Sequence, residues 1–231
     1  GGKIILRERD DEGKFILVED GKQPESAAII HCVGSRDQNY HAYCSRVCCM
    51  YSLKIGHLLK EKLPGSNIYE FYIDLRAFGK GYEEFQNRII KEGIHLIRGL
   101  PAKIEEKNNR LFLRSEDIIN SRLSELEVDM VILSIGLEAQ NDAEEISHKL
   151  GLKVDENGWF REANYNTGPT ATHKQGISIA GSCQGPKDIP DSVAQGSAAA
   201  ASVLQSILNK KIKIQDDAPD LKEIEGKIHE L

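Results

Sequence analysis

Cysteine is concentrated in one short stretch of this chain. Four of its five cysteines lie between Cys32 and Cys49, directly after the apolar run Ala27–Ile30. That run predicts a strand buried on both faces, as in a parallel sheet, and the polar residues after it predict a loop at the strand's carboxyl end. The spacings are too short for a conventional pair of structural disulfides, so a reducing compartment and a metal or redox site are indicated. The fold must therefore bring a cysteine-rich loop to the end of a buried strand.

The cysteine spacing leaves several chemistries open. Apolar residues at helical spacing predict a helix from near Cys44 to about residue 63, which places Cys44 and Cys48 one turn apart at its N-terminus. A helix N-terminus stabilises thiolates. Four thiolates can hold zinc or an iron-sulfur cluster, and the adjacent pair Cys48 and Cys49 does not resemble the two short knuckles of a zinc ribbon. A thiol-disulfide site and inert thiols remain as alternatives.

The predicted elements follow the order of an α/β domain. Strands and helices alternate, as in half of a doubly wound parallel sheet, over 27–33, 44–63, 68–73, 82–92 and 94–97. A three-stranded β-meander is then predicted from strands at 102–104, 111–113 and 128–134. The remaining predictions are a hairpin within 3–18, a helix at 143–150, a buried strand at 177–180 and a helix at 192–209.

Composition excludes some functions. The net charge is -6, from 30 basic and 36 acidic residues spread along the sequence, so there is no basic stripe for nucleic acid. Apolar runs such as Met130–Leu133 are far shorter than the roughly 20 residues of a membrane-spanning helix, and no signal peptide opens the chain. We therefore expect a soluble cytoplasmic protein without a membrane span.

The residues around the cysteines match a known family. Cys32–Arg36 and Tyr43–Lys54 closely resemble the iron-sulfur flavoprotein A subunits of CoB-CoM heterodisulfide reductase and their relatives in methanogens and sulfate reducers. In that family the loop replaces the glycine-rich NAD(P)H-binding turn of thioredoxin-reductase-like enzymes. No G-x-G-x-x-G turn stands here, so a nicotinamide site is not expected. The resemblance implies a [4Fe-4S] cluster with the ligands Cys32, Cys44, Cys48 and Cys49.

A second match covers Gly176–Gly196, predicted as a strand, a glycine-containing loop and a helix that starts near Ser192. It is similar to the C-terminal FAD motif of flavoproteins with two dinucleotide-binding domains. A helix N-terminus beside the flavin would stabilise negative charge on the reduced ring. The resemblance implies FAD contacts from Gly181, Ser182, Lys187, Asp188, Ile189, Ser192 and Val193.

The resemblance also implies a domain organisation. We expect an α/β, thioredoxin-reductase-like flavoprotein fragment, because residues 1–30 lack the G-x-G-x-x-G turn that holds the FAD pyrophosphate in the family. The expected parts are the end of the FAD domain (1–26), an inserted NAD(P)H-domain-like module (27–138), the C-terminal part of the FAD domain (139–214) and a charged tail (215–231).

The function implied is electron transfer between FAD and the [4Fe-4S] cluster inside a heterodisulfide-reductase-type multisubunit oxidoreductase. The implied partners are its other subunits and electron carriers, and a homodimer is a further option. Two alternatives stay open: a pyridine-nucleotide disulfide reductase that uses a cysteine pair, and a zinc-stapled interaction module. No residue has the pattern of a catalytic nucleophile or general base.

Several other residues have two interpretations each. Arg36 and Arg46 can tune a cluster through their charge or form exposed ion pairs. His31 and His41 are weaker metal-ligand candidates than the four thiols. Cys183 fits a small apolar role better than a redox role. A residual nucleotide site would use the polar pair at the end of the second strand, Asp74 and Arg76.

Overall fold

The computed structural model describes residues 22–108 and 110–209. The predicted hairpin at 3–18 and the charged tail at 215–231 lie outside the described residues. The chain divides into two compact units, with the boundary between Leu137 and Glu138. The assignment of these units to particular flavoprotein domains stays a prediction.

The first unit contains seven strands and two helices within its described residues. In chain order they are β1 (Ser26–Val33), α1 (Cys48–Lys62), β2 (Asn67–Tyr72), α2 (Tyr82–Lys91), β3 (His95–Arg98), β4 (Pro101–Lys107), β5 (Arg110–Asp117), β6 (Arg122–Val128) and β7 (Met130–Ile135). Four strands form a parallel sheet in the order β3-β2-β1-β7. The predicted alternation of strands and helices is therefore confirmed.

The central strand β1 is buried because both faces of the sheet are covered. Ala27 and Ile29 pack in one apolar cluster with residues of α1 and α2, including Leu53 and Ile89. Ala28 and Ile30 point to the opposite face, where their cluster includes residues of β5 and β6. Alternate residues of one strand thus enter two cores, which explains its continuous apolar sequence.

The meander is antiparallel and consists of β4, β5 and β6. The predicted third strand at 128–134 was wrong in this respect, because that segment is β7 and pairs in parallel with β1. The break falls at Asp129, whose carboxylate accepts hydrogen bonds from the backbone N–H and hydroxyl of Ser26, each at 2.9 Å, and contacts Arg110. These bonds hold the chain where it leaves one sheet for the other.

The second unit has little regular structure before its long helix. Its elements are α3 (Ala143–Leu150), a 3₁₀ turn (Gly181–Cys183) and α4 (Ile189–Asn209). The predicted strand at 177–180 was wrong: only an isolated bridge joins Ser178 to Ala171, although Ile179 is buried. No helix of the described residues is long and apolar enough to cross a membrane.

Candidate functional site

Three of the four clustered cysteines meet at the carboxyl edge of the parallel sheet. Cys32 lies near the end of β1, and Cys48 and Cys49 are the first two residues of α1. All three are buried, whereas Cys44 is half-buried in the preceding loop. The backbone N–H of Arg46 donates to Cys44 Sγ at 3.3 Å. The local fold thus gathers thiols from a strand end, a loop and a helix N-terminus.

The helix begins later than the sequence pattern predicted. Arg46 has a φ of 58°, in the left-handed region, so a right-handed helix cannot pass through it. The helix instead begins at Cys48, with Val47 as a cap that makes no side-chain hydrogen bond. Cys44 and Cys48 therefore do not share a helical face. The first turn carries no acidic residue, so its free N–H groups favour a thiolate.

The buried thiols contact one another. Hydrogen bonds from Cys32 and Cys49 lower the pKa of Cys48 far below its usual range. The same contacts, together with burial, raise the pKa of Cys32 and of Cys49. One thiolate held by two thiols is thus the favoured state of this trio. A thiolate is also the form in which cysteine binds metal or attacks a disulfide.

The cysteine-bearing elements are tied to the end of β7. Tyr51 donates its hydroxyl to the carbonyl of Ile135 at 2.6 Å. Ser52 Oγ, on the next residue of α1, contacts both the Cys48 carbonyl at 2.5 Å and Ser134 Oγ at 2.6 Å. These bonds fix the first turns of α1 against the neighbouring strand, so the position of its N-terminus is set by the sheet.

A glycine lets the cysteine loop approach the end of β7. A Cβ added at Gly136 would lie 2.6 Å from Ser45 Oγ and 3.1 Å from Ser35 Cβ. The Gly136 N–H donates to the Val33 carbonyl at 2.9 Å, and the Leu137 N–H donates to Ser45 Oγ at the same distance. The loop between Val33 and Val47 is therefore packed against the backbone that follows β7.

The two arginines of the loop have different surroundings. The Arg36 guanidinium contacts the carboxylate of Asp74, which also lies 3.6 Å from Arg76. Arg46 instead lies over the ring of Phe78, 5.5 Å from its centroid. The Asp74 and Arg76 pair proposed for a residual nucleotide site is therefore engaged in a network with the cysteine loop.

A buried polar contact lies next to the cysteines and is not apparent from the sequence. His31 Nε2 is 2.9 Å from Glu70 Oε2, and both side chains are fully buried. The sequence pattern predicts for His31 only a weak metal-ligand role and for Glu70 no role. The available signal was a carboxylate in the middle of an apolar strand, because a buried carboxylate requires a partner.

The fit of the thiols to a metal centre depends on the kind of centre. Among residues 22–108 and 110–209, no group of three or more His, Cys, Asp or Glu side chains is arranged to hold a metal ion. The sulfur atoms of Cys32, Cys48 and Cys49 instead satisfy one another. Four cysteines, three of them buried, supply the number of sulfur donors that a [4Fe-4S] cluster needs. The residues present thus fit that group by their chemistry, with Cys44 as the fourth donor.

The residues predicted to contact FAD lie around the start of α4. Gly181 and Ser182 are in the 3₁₀ turn, and a Cβ on Gly181 would lie 3.8 Å from the Ser192 side chain. The loop and the first helical turn are thus adjacent. Ile189 and Val193 are largely exposed.

The start of α4 corrects one prediction. The helix begins at Ile189 and not near Ser192, because the Asp188 carboxylate accepts the Asp191 N–H at 2.9 Å and caps the helix. The Ser192 N–H is already bonded to the Asp188 carbonyl at 3.0 Å. Any helix-terminal N–H groups offered to a ligand therefore come from earlier residues than predicted.

Two glutamines for which the sequence pattern predicts no role hold this loop. Gln195 Oε1 accepts the Gly181 N–H at 2.7 Å, and Gln195 Nε2 contacts Gln184. Gln184 in turn accepts from Lys187 Nζ at 3.1 Å and donates to Glu162 at 2.7 Å. The two amide side chains therefore connect the 3₁₀ turn, the loop after it and the first turns of α4. Contacts of this kind leave no periodic signal in a sequence.

Comparison with known proteins places the chain in a family. A family model described as pyridine nucleotide-disulphide oxidoreductase matches residues 72–200, more than half of the 231 residues. The chain belongs to this family. Its members are oxidoreductases, so the redox assignment made from the sequence is confirmed at that level.

Curated relatives narrow the resemblance. In Methanopyrus kandleri, the second iron-sulfur A subunit of CoB-CoM heterodisulfide reductase is 43% identical over 220 residues, which cover 94% of this chain and 33% of that protein. In Methanothermobacter thermautotrophicus, the A subunit of H(2):CoB-CoM heterodisulfide,ferredoxin reductase is 44% identical over 92% of this chain and 33% of that protein. The predicted resemblance to heterodisulfide reductase A subunits is confirmed. The chain spans about a third of the length of these relatives.

Solved structures confirm the predicted fold class. The thioredoxin reductase of T. acidophilum matches with a TM-score of 0.55 and 17% identity, covering 79% of this chain and 53% of that chain. The thioredoxin reductase of Lactococcus lactis matches with a TM-score of 0.53 and 19% identity, covering 81% and 54%. At such low identity the likeness concerns the fold alone.

Proposed function

We propose that this chain transfers electrons between FAD and a [4Fe-4S] cluster within a heterodisulfide-reductase-type multisubunit oxidoreductase. The observation that carries this proposal is the meeting of buried thiols at the N-terminus of α1, with Cys44 in the loop just before it. Relatives named as iron-sulfur A subunits of heterodisulfide reductase support it. The proposed ligands are Cys32, Cys44, Cys48 and Cys49.

Each part of the site has a proposed role. When bound, the cluster supplies a one-electron acceptor and donor. The helix N-terminus and the Arg46 N–H stabilise the negative charge of the thiolates, and burial keeps water away from three of the four sulfurs. In the second unit, the loop at Gly181 and the capped start of α4 are proposed to hold the flavin.

The cellular setting of this site is also a proposal. All five cysteines are free thiols, and exposed or half-buried thiols survive best in a reducing compartment. We place the chain in the cytoplasm, together with the other subunits and the electron carriers of the complex.

A cysteine series tests the proposed cluster. The full chain is purified without oxygen, reconstituted with iron and sulfide, and analysed for iron, sulfide and zinc. We expect about four iron and four sulfide per chain. Replacing Cys32, Cys48 or Cys49 by serine is expected to abolish loading, whereas Cys183→Ser, outside the cluster, is expected to load fully. Loading that is unchanged in the three cluster variants would contradict the proposal.

The thiol contacts also favour a second candidate, a disulfide reductase that uses the Cys32 and Cys48 pair. A hydrogen bond between two cysteines, one of them with a lowered pKa, is the arrangement of an attacking thiol and its partner. This alternative predicts a disulfide in the oxidised chain, no iron after reconstitution, and reduction of that disulfide by NAD(P)H through bound flavin. The metal analysis above therefore separates the two.

A further inference from the structure

Arg36 is a charged side chain held beside the cysteine site. Its backbone N–H donates to the Tyr43 carbonyl at 3.0 Å, which closes the loop that leads from Cys32 to Cys44. The guanidinium of Arg36 and the thiols of Cys32 and Cys44 are close enough for their charges to interact. Its side chain is only 22% exposed, so solvent screens this charge less than that of a surface arginine.

Asp74 connects Arg36 to a third cysteine. Its carboxylate contacts the Arg36 guanidinium, while its backbone carbonyl oxygen lies 3.6 Å from Cys49 Sγ. Asp74 follows β2, and Arg36 follows the adjacent strand β1, so the contact bridges two loops at one edge of the sheet. The arginine is thus held in a fixed position relative to the thiols.

The other arginine of the loop is placed differently. The Arg46 guanidinium lies over Phe78, whose ring is 63% exposed, and reaches the cysteine site through its backbone N–H. The side chains of Arg36 and Arg46 are thus directed to different partners, although both residues have a positive φ and lie beside a cysteine-rich sequence. The Arg36 guanidinium contacts Asp74, a residue that also touches a cysteine.

We propose that Arg36 is the residue whose charge raises the reduction potential of the cysteine-bound cluster, and that Asp74 positions it. This inference rests on the proposed cluster. Reduction adds one electron to the cluster, so a fixed positive charge stabilises the reduced state more than the oxidised state. Removing the charge must lower the potential without removing a ligand.

Arg36→Gln tests this proposal in the reconstituted full chain. The midpoint potential is measured by titration with dithionite, which supplies the electron, and followed by electron paramagnetic resonance. We expect the equilibrium constant for reduction to fall about fivefold, which at about 59 mV per factor of ten corresponds to about 40 mV. Arg88→Gln is the matched control, because Arg88 lies on α2 and is 57% exposed. Its potential is expected to equal that of the unaltered chain.

A second variant separates charge from position. Arg36→Lys keeps the charge but loses the planar fork that contacts Asp74, so its potential is expected to lie between those of the unaltered chain and Arg36→Gln. Equal potentials in a loaded Arg36→Gln and the Arg88→Gln control would overturn the proposal. Should Arg36→Gln not load iron, Arg36→Leu takes its place, and a loaded Arg36→Leu with the potential of the Arg88→Gln control would overturn the proposal. If the unaltered chain itself fails to load, it is the proposed cluster that is wrong.

Discussion

Gly136→Ala is the substitution for which the structure gives the most defined steric conflict at the cysteine loop. The new methyl group would lie 2.6 Å from Ser45 Oγ and 3.1 Å from Ser35 Cβ, well inside ordinary contact distance. Ser45 and Ser35 are 0% and 2% exposed, so neither can turn into solvent. The loop or the end of β7 must therefore move.

The expected cost follows from three contributions. Overpacking of a tight site costs about 1–3 kcal/mol. Displacing Ser45 Oγ also weakens its hydrogen bond with the Leu137 N–H, now 2.9 Å, which is worth about 1 kcal/mol. The reduced entropy of the unfolded chain offsets about 0.4–1 kcal/mol of this. The free energy of unfolding of the first unit is thus expected to fall by about 2 kcal/mol.

The assay has to report on the first unit alone, because Trp159 lies in the second. Hydrogen exchange of β1 and α1 peptides in increasing urea meets this need. Gly65→Ala is the matched control, since a Cβ there has no atom within 4 Å. A Gly136→Ala chain as stable as this control would refute the close packing of the loop on β7. We also expect the Gly136→Ala chain to incorporate less iron.

Two further predictions concern buried and acidic groups. Glu70→Leu leaves His31 Nε2 buried without its partner, so the free energy of unfolding, measured by urea denaturation, should fall by about 3 kcal/mol. The control Glu106→Leu changes an exposed residue and should cost no more than about 0.5 kcal/mol. Equal losses in the two variants would contradict the contact between His31 and Glu70. Hydrogen bonds from Asn120 lower the pKa of the Asp117 carboxyl group. These hydrogen bonds therefore stabilise the folded chain fully above about pH 4, and this stabilisation is lost as the pH falls through the lowered pKa. Asp117→Asn should therefore destabilise the chain at pH 7 and converge with the unaltered chain in acid, whereas a constant difference across pH would contradict this.

Much of the first unit could be predicted because its signals are local. A strand buried on both faces has a continuous apolar sequence, and the residues Pro64 and Gly65 end the helix that follows. The cysteines were correctly placed at a strand end and near a helix N-terminus. The curated relatives then confirmed the predicted resemblance of the chain to heterodisulfide reductase A subunits.

The rest depended on contacts that hydrophobic periodicity does not record. The left-handed backbone at Arg46 delays α1 by four residues relative to the predicted start at Cys44. The change of sheet at Asp129 separates two extended segments that look continuous in sequence. The cap at Asp188 moves the start of α4 to Ile189, and the glutamine contacts around it join distant positions.

Native mass spectrometry of the full chain, purified without oxygen and reconstituted with iron and sulfide, tests the central claim most directly. The account predicts that the folded chain exceeds the mass of the bare polypeptide by one [4Fe-4S] cluster, and that Cys48→Ser lacks this increment while Cys183→Ser retains it. An increment of a single zinc ion, or a loss of two hydrogens that marks a disulfide, would contradict it.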